Sequence, residues 1–241
     1  MYKFNFIHFL LYFYHINNGD YMKIKVFMFI IVLAILFFSF YIYNNDNIDL
    51  KPYLEKIKNS NNITYSIRIK NNEDDTFTSY KINRDKIESE RIINDTKWLH
   101  SYILINDNIS YVNSLYQGNK WIMYDEYEEN LINFDYIDIL INSIDFDNKI
   151  RLSQKEAQEV LNILNNIAGT NNSYNVLNSI NVLVETNNEE LISIKLDYSN
   201  KINSVDIGIY DEFVVELNIS NLGNTLVVIP NNVINHLEVS K

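Results

Sequence analysis

The chain contains no cysteine. That removes disulfides, thiolate zinc ligands, thiol nucleophiles and attachment of a lipid through sulfur. Glycine and proline are scarce as well, five and two among 241 residues. Phosphate-binding loops and dinucleotide fingerprints need several glycines where backbone approaches a phosphate, so both are excluded. The accompanying excess of Asn and Ile reads as the bias of an AT-rich genome. A prion-like reading is the weaker one, because the Asn residues are interleaved with patterned apolar ones. Positive charge is also short: 20 Lys and Arg stand against 31 Asp and Glu, and residues 44–241 hold 17 against 30, a net charge of −13. Such a surface repels nucleic acid and anionic headgroups, leaving neutral, polar or cationic partners.

Catalytic constellations are missing too. Of the four histidines, His8 and His15 lie near the amino end, which leaves His100 and His236, each alone in its segment. No G-x-S-x-G, S-x-x-K set or H-E-x-x-H occurs. The carboxylates Asp125, Glu126, Glu128 and Glu129 read as a solvated acidic face. Asp145 to Asn148 resembles the start of a calcium loop, but Ile150 stands where the loop needs Gly and no Glu closes it. Paired carboxylates for glycoside cleavage stay open with nothing in the pattern favouring them. The expectation is a protein that is not an enzyme, with no catalytic residues, no metal and no cofactor.

What is present begins with VFMFIIVLAILFFSFYIY, Val26 to Tyr43, eighteen residues without a charge. As a helix it would span ~27 Å, near the ~30 Å hydrocarbon core of a bilayer. Lys23 and Lys25 precede it and Asp46 and Asp49 follow, so the charge asymmetry puts the amino end in the cytoplasm and residues 44–241 outside. A cleaved export signal opens in the same way, but Phe40 to Tyr43 lack the small residues a cut requires, so the run reads as an uncleaved signal anchor. Residues 26–43 are thus expected to contact a lipid bilayer, in a single-pass protein of the cell membrane. Residues 1–21 form a separate aromatic-rich segment, a short cytoplasmic piece or a mis-assigned start. Met22 begins MKIKVF, an export-type opening, and Gly19-Asp20 is encoded GGN GAY, compatible with a ribosome-binding site just upstream.

The remainder, residues 44–241, has the length of one domain. DLKPYLEKIK at 49–58 predicts a short amphipathic helix with Pro52 in its first turn. Ile63, Tyr65, Ile67 and Ile69 alternate with polar residues, as in a strand with one wet face. Strands are predicted next near 77–82, 86–93, 97–105, 109–114 and 120–124. Glu128 to Asn142 predicts a helix, and Ser153 to Ala168 another, with a Ser153/Glu156 capping box and Gly169 in the C-cap position. Four alternating runs follow, at 180–184, 192–196, 205–209 and 213–219. A last strand at Thr225 to Ile229 is closed by Pro230. This order predicts an α+β protein: one transmembrane helix, then a large curved antiparallel sheet, a half-barrel, with helices on one face.

Three stretches carry a resemblance. DNISYVNS with Tyr111, GNKWIMYD with Trp121 and Tyr124, and VVELNISNLGNTLVVIPNNV with Gly223 and Pro230 are similar to segments of the LolA/LppX-like envelope lipoproteins, whose half-open barrel also forms the amino-terminal domain of RseB-type sensors. The likeness covers about residues 50–238. It implies a concave apolar face roofed by helices and able to take an acyl chain, with Trp98, Tyr102, Tyr111, Trp121 and Tyr124 as candidates for its mouth or lining. The same five also read as ordinary core and cross-strand pairs, so no ligand-binding residue is assigned. The family's cysteine anchor is absent, and a tethered domain cannot shuttle lipoprotein between membranes. Two functions are expected: a membrane-tethered extracytoplasmic domain that binds an apolar ligand or senses envelope state, or a structural or protein-interaction domain of the envelope without a cavity. A void of roughly 300 Å³ or more would mark the first.

Overall fold

The computed structural model describes residues 31, 33, 49–118, 120–125, 133–170, 172–187, 190–205, 207–235 and 237–239. Two compact units are distinguished, Met1–Ile48 and Asp49–Lys241; in the first only Ile31 and Leu33 are described, both helical.

The second unit begins with α1 (Lys51–Lys58) and continues through β1 (Asn62–Asn71), β2 (Asp75–Asn83), β3 (Lys86–Ile93), β4 (Thr96–Leu104), β5 (Ile109–Ser114), a 3-10 turn (Leu115–Gln117) and β6 (Trp121–Tyr124). Then come α2 (Asp135–Asn142), β7 (Ile150–Leu152), α3 (Gln154–Ala168), β8 (Asn175–Val176), β9 (Ile180–Asn187), β10 (Glu190–Asp197), β11 (Ile202–Ser204), β12 (Gly208–Ile209) and β13 (Phe213–Ser220). The short α4 (Asn231–Asn235) and β14 (Leu237–Val239) close the order. Eleven strands make one open sheet, ordered β14-β6-β5-β4-β3-β2-β1-β13-β10-β9-β7, and β12-β11-β8 form a small second sheet. All pairings are antiparallel except β14 on β6.

This corrects the expected α+β protein led by a membrane helix. Among the described residues the fold is mostly antiparallel sheet with few helices, and no helix is long and apolar enough to cross a membrane. The longest, α3, has 15 residues, with Gln, Lys, Glu and Asn recurring through its sequence, so its apolar residues form a stripe and not a sleeve. The transmembrane-helix, signal-anchor and single-pass membrane readings are corrected with it. Residues 26–43, on which they and the expected bilayer contact rested, lie outside the described residues apart from Ile31 and Leu33, as do residues 1–21.

Alternation decides which face each strand buries. In β1, Ile63, Tyr65, Ile67 and Ile69 are buried while Arg68 and Lys70 are exposed. The register continues this inner face through Leu217 and Val215 of β13 and Ile194 and Leu196 of β10. Onto it pack α1 through Leu54 and Ile57, α2 through Ile137 and Leu140, and α3 through Val160, Leu161 and Leu164. Helix α3 starts on the predicted capping box: Ser153 N donates to Glu156 Oε2 at 2.7 Å and Glu156 N to Ser153 Oγ at 3.4 Å. It stops at Gly169, whose φ of +69° lies in the left-handed region that glycine enters at least cost. The sheet completes that stop. Thr78 Oγ1 donates to Ala168 O at 3.1 Å, Tyr80 OH to Ile167 O at 2.5 Å and Arg91 Nη1 to Gly169 O at 3.3 Å. Polar side chains on the inner face thus satisfy carbonyls that the end of a helix leaves unpaired.

Helices are not confined to one face. Val233 of α4 belongs to a second apolar cluster with Val227, Tyr102 and Tyr111, on the side of the sheet opposite α1 to α3. Residues 225–230, of which Thr225 to Ile229 were expected as a ladder strand, lie on this outer face as an extended strap with no ladder partner among the described residues. Thr225 anchors the strap on β1: its N donates to Asn62 Oδ1 at 2.5 Å, and its Oγ1 lies 3.0 Å from Thr64 Oγ1.

Candidate functional site

Strand register sorts the outer face into rows of neighbouring side chains. The first row reads Thr64, Lys81, Glu88, Tyr102, Tyr111, Met123 from β1 to β6, and the next reads Ser66, Ser79, Glu90, His100, Asn113, Trp121. The strap covers the first row, setting Thr225 on Thr64 and Val227 against Tyr102 and Tyr111. The second row runs beside it.

Where the rows meet on β3 and β4, Glu88 is the hub. Its Oε2 accepts from Lys81 Nζ at 2.9 Å, and its Oε1 lies 3.2 Å from His100 Nε2 and 3.4 Å from the Tyr102 hydroxyl, which donates. Partial burial opposes ionisation of Glu88, but Lys81 and His100 outweigh it and hold the carboxyl below the usual carboxylate range. Burial pushes the Tyr102 hydroxyl the other way, up to about 12, with help from the Glu88 charge. The His100 ring sits 4.9 Å from Tyr102 and 5.3 Å from Trp121, and Tyr102 lies 5.6 Å from Trp121. Further along β4, Trp98 meets the exposed Tyr116 edge-on at 5.2 Å, and Lys97 pairs with Glu90.

Three of the five aromatic candidates therefore come together here, Tyr102 and Tyr111 under the strap and Trp121 packed against them, while Trp98 contacts Tyr116 instead. Tyr124 does not join them. It pairs with Ser110, one residue out of phase with Tyr111 and Met123, and its hydroxyl accepts a hydrogen bond from Gln117. None of the five lines an opening under α1 to α3, where the resemblance would place a mouth. Glu88 and His100 were not singled out together from sequence. The signal was available, since a hairpin closing at Asn94 and Asp95 sets the acidic alternation of β3 against the aromatic alternation of β4.

The inner face offers less room. Leu54, Leu140, Leu161, Leu164, Ile67 and Leu217 have 0% of their surface accessible. Side chains lining a void that admitted an acyl chain would retain accessible area. A cavity of about 20 Å³, room for one water, opens between α1 and the ends of β10 and β13, bordered by Tyr53, Ile57, Leu191 and Leu222. Among the described residues, no three His, Asp or Glu side chains are grouped so as to hold a metal ion. No protein-family model matches the chain, and comparison with curated proteins finds no match.

Proposed function

We propose that the domain of residues 49–241 is a non-catalytic protein-binding module that carries no apolar ligand. The filled space between α1 to α3 and the inner face of the sheet carries this reading. The LolA/LppX-like resemblance implies an acyl-chain cavity there; the close packing of the described side chains in that space supports the protein-binding reading over it. Work done by such a domain falls to its surface. That surface keeps several large apolar side chains in water, Leu226 and Val228 on the strap being 71% and 62% exposed, a feature of contact sites. The acidic excess of residues 44–241 favours a partner with a neutral or basic face.

The test is a titration of the purified chain with cis-parinaric acid, whose fluorescence rises on entering an apolar site, combined with native mass spectrometry of the chain as isolated. The expected outcome is no saturable uptake and a mass equal to that of the protein alone. One-to-one saturable uptake, or a co-purifying lipid mass, would overturn the proposal.

A further inference from the structure

The strap is a β-strand in every respect except partners. Its side chains alternate, with Thr225 and Val227 buried at 5% and 3% and Leu226 and Val228 facing solvent. Yet among the described residues, the backbone N–H and C=O groups of residues 226–229 make no hydrogen bond. A strand lying on the face of a sheet directs these groups sideways along its own two edges, so they are not turned into the protein. Unpaired extended backbone of this kind is a template for strand addition.

The row structure says what an added strand would meet. Lying beside the strap, it would rest on Ser66, Ser79, Glu90, His100, Asn113 and Trp121. That floor holds the ring of Trp121, which suits an inward-facing Lys or Arg by cation–π attraction, and the carboxylate of Glu90, which Lys97 already pairs and which a basic side chain would share. The added strand's outward side chains would flank Leu226 and Val228, which suit Val or Ile. Residues 217–235 themselves carry no charge, so two straps from two copies could align without local repulsion. The net charge of −13 on residues 44–241 works against such a pairing and in favour of a basic partner.

We propose that the strap, residues 225–230, together with the Ser66-to-Trp121 row, is the docking site for an extended segment of a partner protein that alternates basic and β-branched residues and pairs backbone to backbone with residues 226–229. This rests on the protein-binding reading and names the surface that performs it.

The probe is the fluorescein-labelled peptide Val-Lys-Val-Arg-Val-Lys-Val, capped at both ends, titrated into the full chain and followed by anisotropy. Its acidic counterpart, Val-Glu-Val-Glu-Val-Glu-Val, is the control. Val228→Pro removes one strand donor whose loss costs no native hydrogen bond, and its extended neighbour tolerates a following proline. Leu226→Lys with Val228→Lys keeps the backbone and replaces exposed side chains only. Thermal melts that match the wild type establish that both variants fold. The expected result is saturable binding of the basic peptide, weakened about tenfold by Val228→Pro and by the double Lys variant, with no binding of the acidic peptide. Absence of binding overturns the proposal. Binding that survives both variants shows general attraction to an acidic surface and overturns it too, while leaving the protein-binding reading standing. A dimer in sedimentation that Val228→Pro dissolves would make the occupant a second copy and overturn the assignment to a foreign segment. Uptake of cis-parinaric acid, by contrast, would remove the underlying reading.

Discussion

Replacing Thr78 with Val tests whether the sheet closes the end of α3. Thr78 is 1% exposed, and its hydroxyl donates to Ala168 O at 3.1 Å, the carbonyl of the last residue in the helix. Val keeps the β-branched shape that β2 requires and removes only the donor. The Ala168 carbonyl then stays buried without that donor, which costs ~1–3 kcal/mol. Burying a methyl in place of the hydroxyl returns ~0.8 kcal/mol. A net loss of ~0.2–2.2 kcal/mol follows, and for a domain of this size each kcal/mol lowers Tm by ~2–4 °C. Urea unfolding followed by the fluorescence of Trp98 and Trp121 measures it, as a lower midpoint with an unchanged slope. Thr78→Ser separates the causes, because it keeps the hydroxyl and loses a methyl worth ~0.8 kcal/mol. If Thr78→Val matches or exceeds the wild type while Thr78→Ser falls below it, the hydroxyl bond contributes nothing and the account of the α3 stop is wrong.

Two further outcomes are expected. Gly169→Ala combines a φ of +69° with a new Cβ that would sit 1.7 Å from Arg91 Nη2; a loss of ~1–3 kcal/mol should appear in the same urea experiment, and a neutral result would show that Arg91 moves aside freely. Glu88→Gln should destabilise at pH 7 and not at strongly acid pH. The native carboxyl titrates below its unfolded value, so its stabilisation is complete above about pH 5 and is lost as pH falls through the native pKa. A wild-type-minus-variant difference that stays constant on acidification would place the effect in shape and not in charge.

Local signals were legible where local physics decides. Ser153, Glu156 and Gly169 announced both ends of α3 because capping depends on residues within one turn. The alternation of Ile63 to Ile69 announced β1 and its buried face. Alternation alone could not distinguish a ladder strand from the strap, because Thr225 to Ile229 buries every second side chain in either setting and hydrogen-bond partners leave no mark on sequence period. Strands β7, β8 and β12, of three, two and two residues, are too short to show a period. The aromatic residues were grouped on adjacent strands correctly, but alternation does not say which face meets the helices. The resemblance made them candidates for a mouth or lining and the residues alone read as core and cross-strand pairs; Tyr102 and Tyr111 are such a pair, lying under the strap. The membrane reading drew on a run that lies, apart from two residues, outside those described, and among the described residues each helix is short and striped.

The seam between β1 and β13 joins Ile67 to Leu217, some 150 residues apart in the chain. From β1 to β6 the sheet is built from hairpins between near neighbours, which close quickly. During synthesis the strands β1 to β6 are therefore available to assemble long before β13 emerges to extend them. The strap follows β13, so Tyr102 and Tyr111 wait uncovered on a nascent sheet whose β1 edge is also open. Such an intermediate presents both a sticky face and an unpaired edge. The strap covers the face after β13 has closed the seam, and so ends the exposure of Tyr102 and Tyr111.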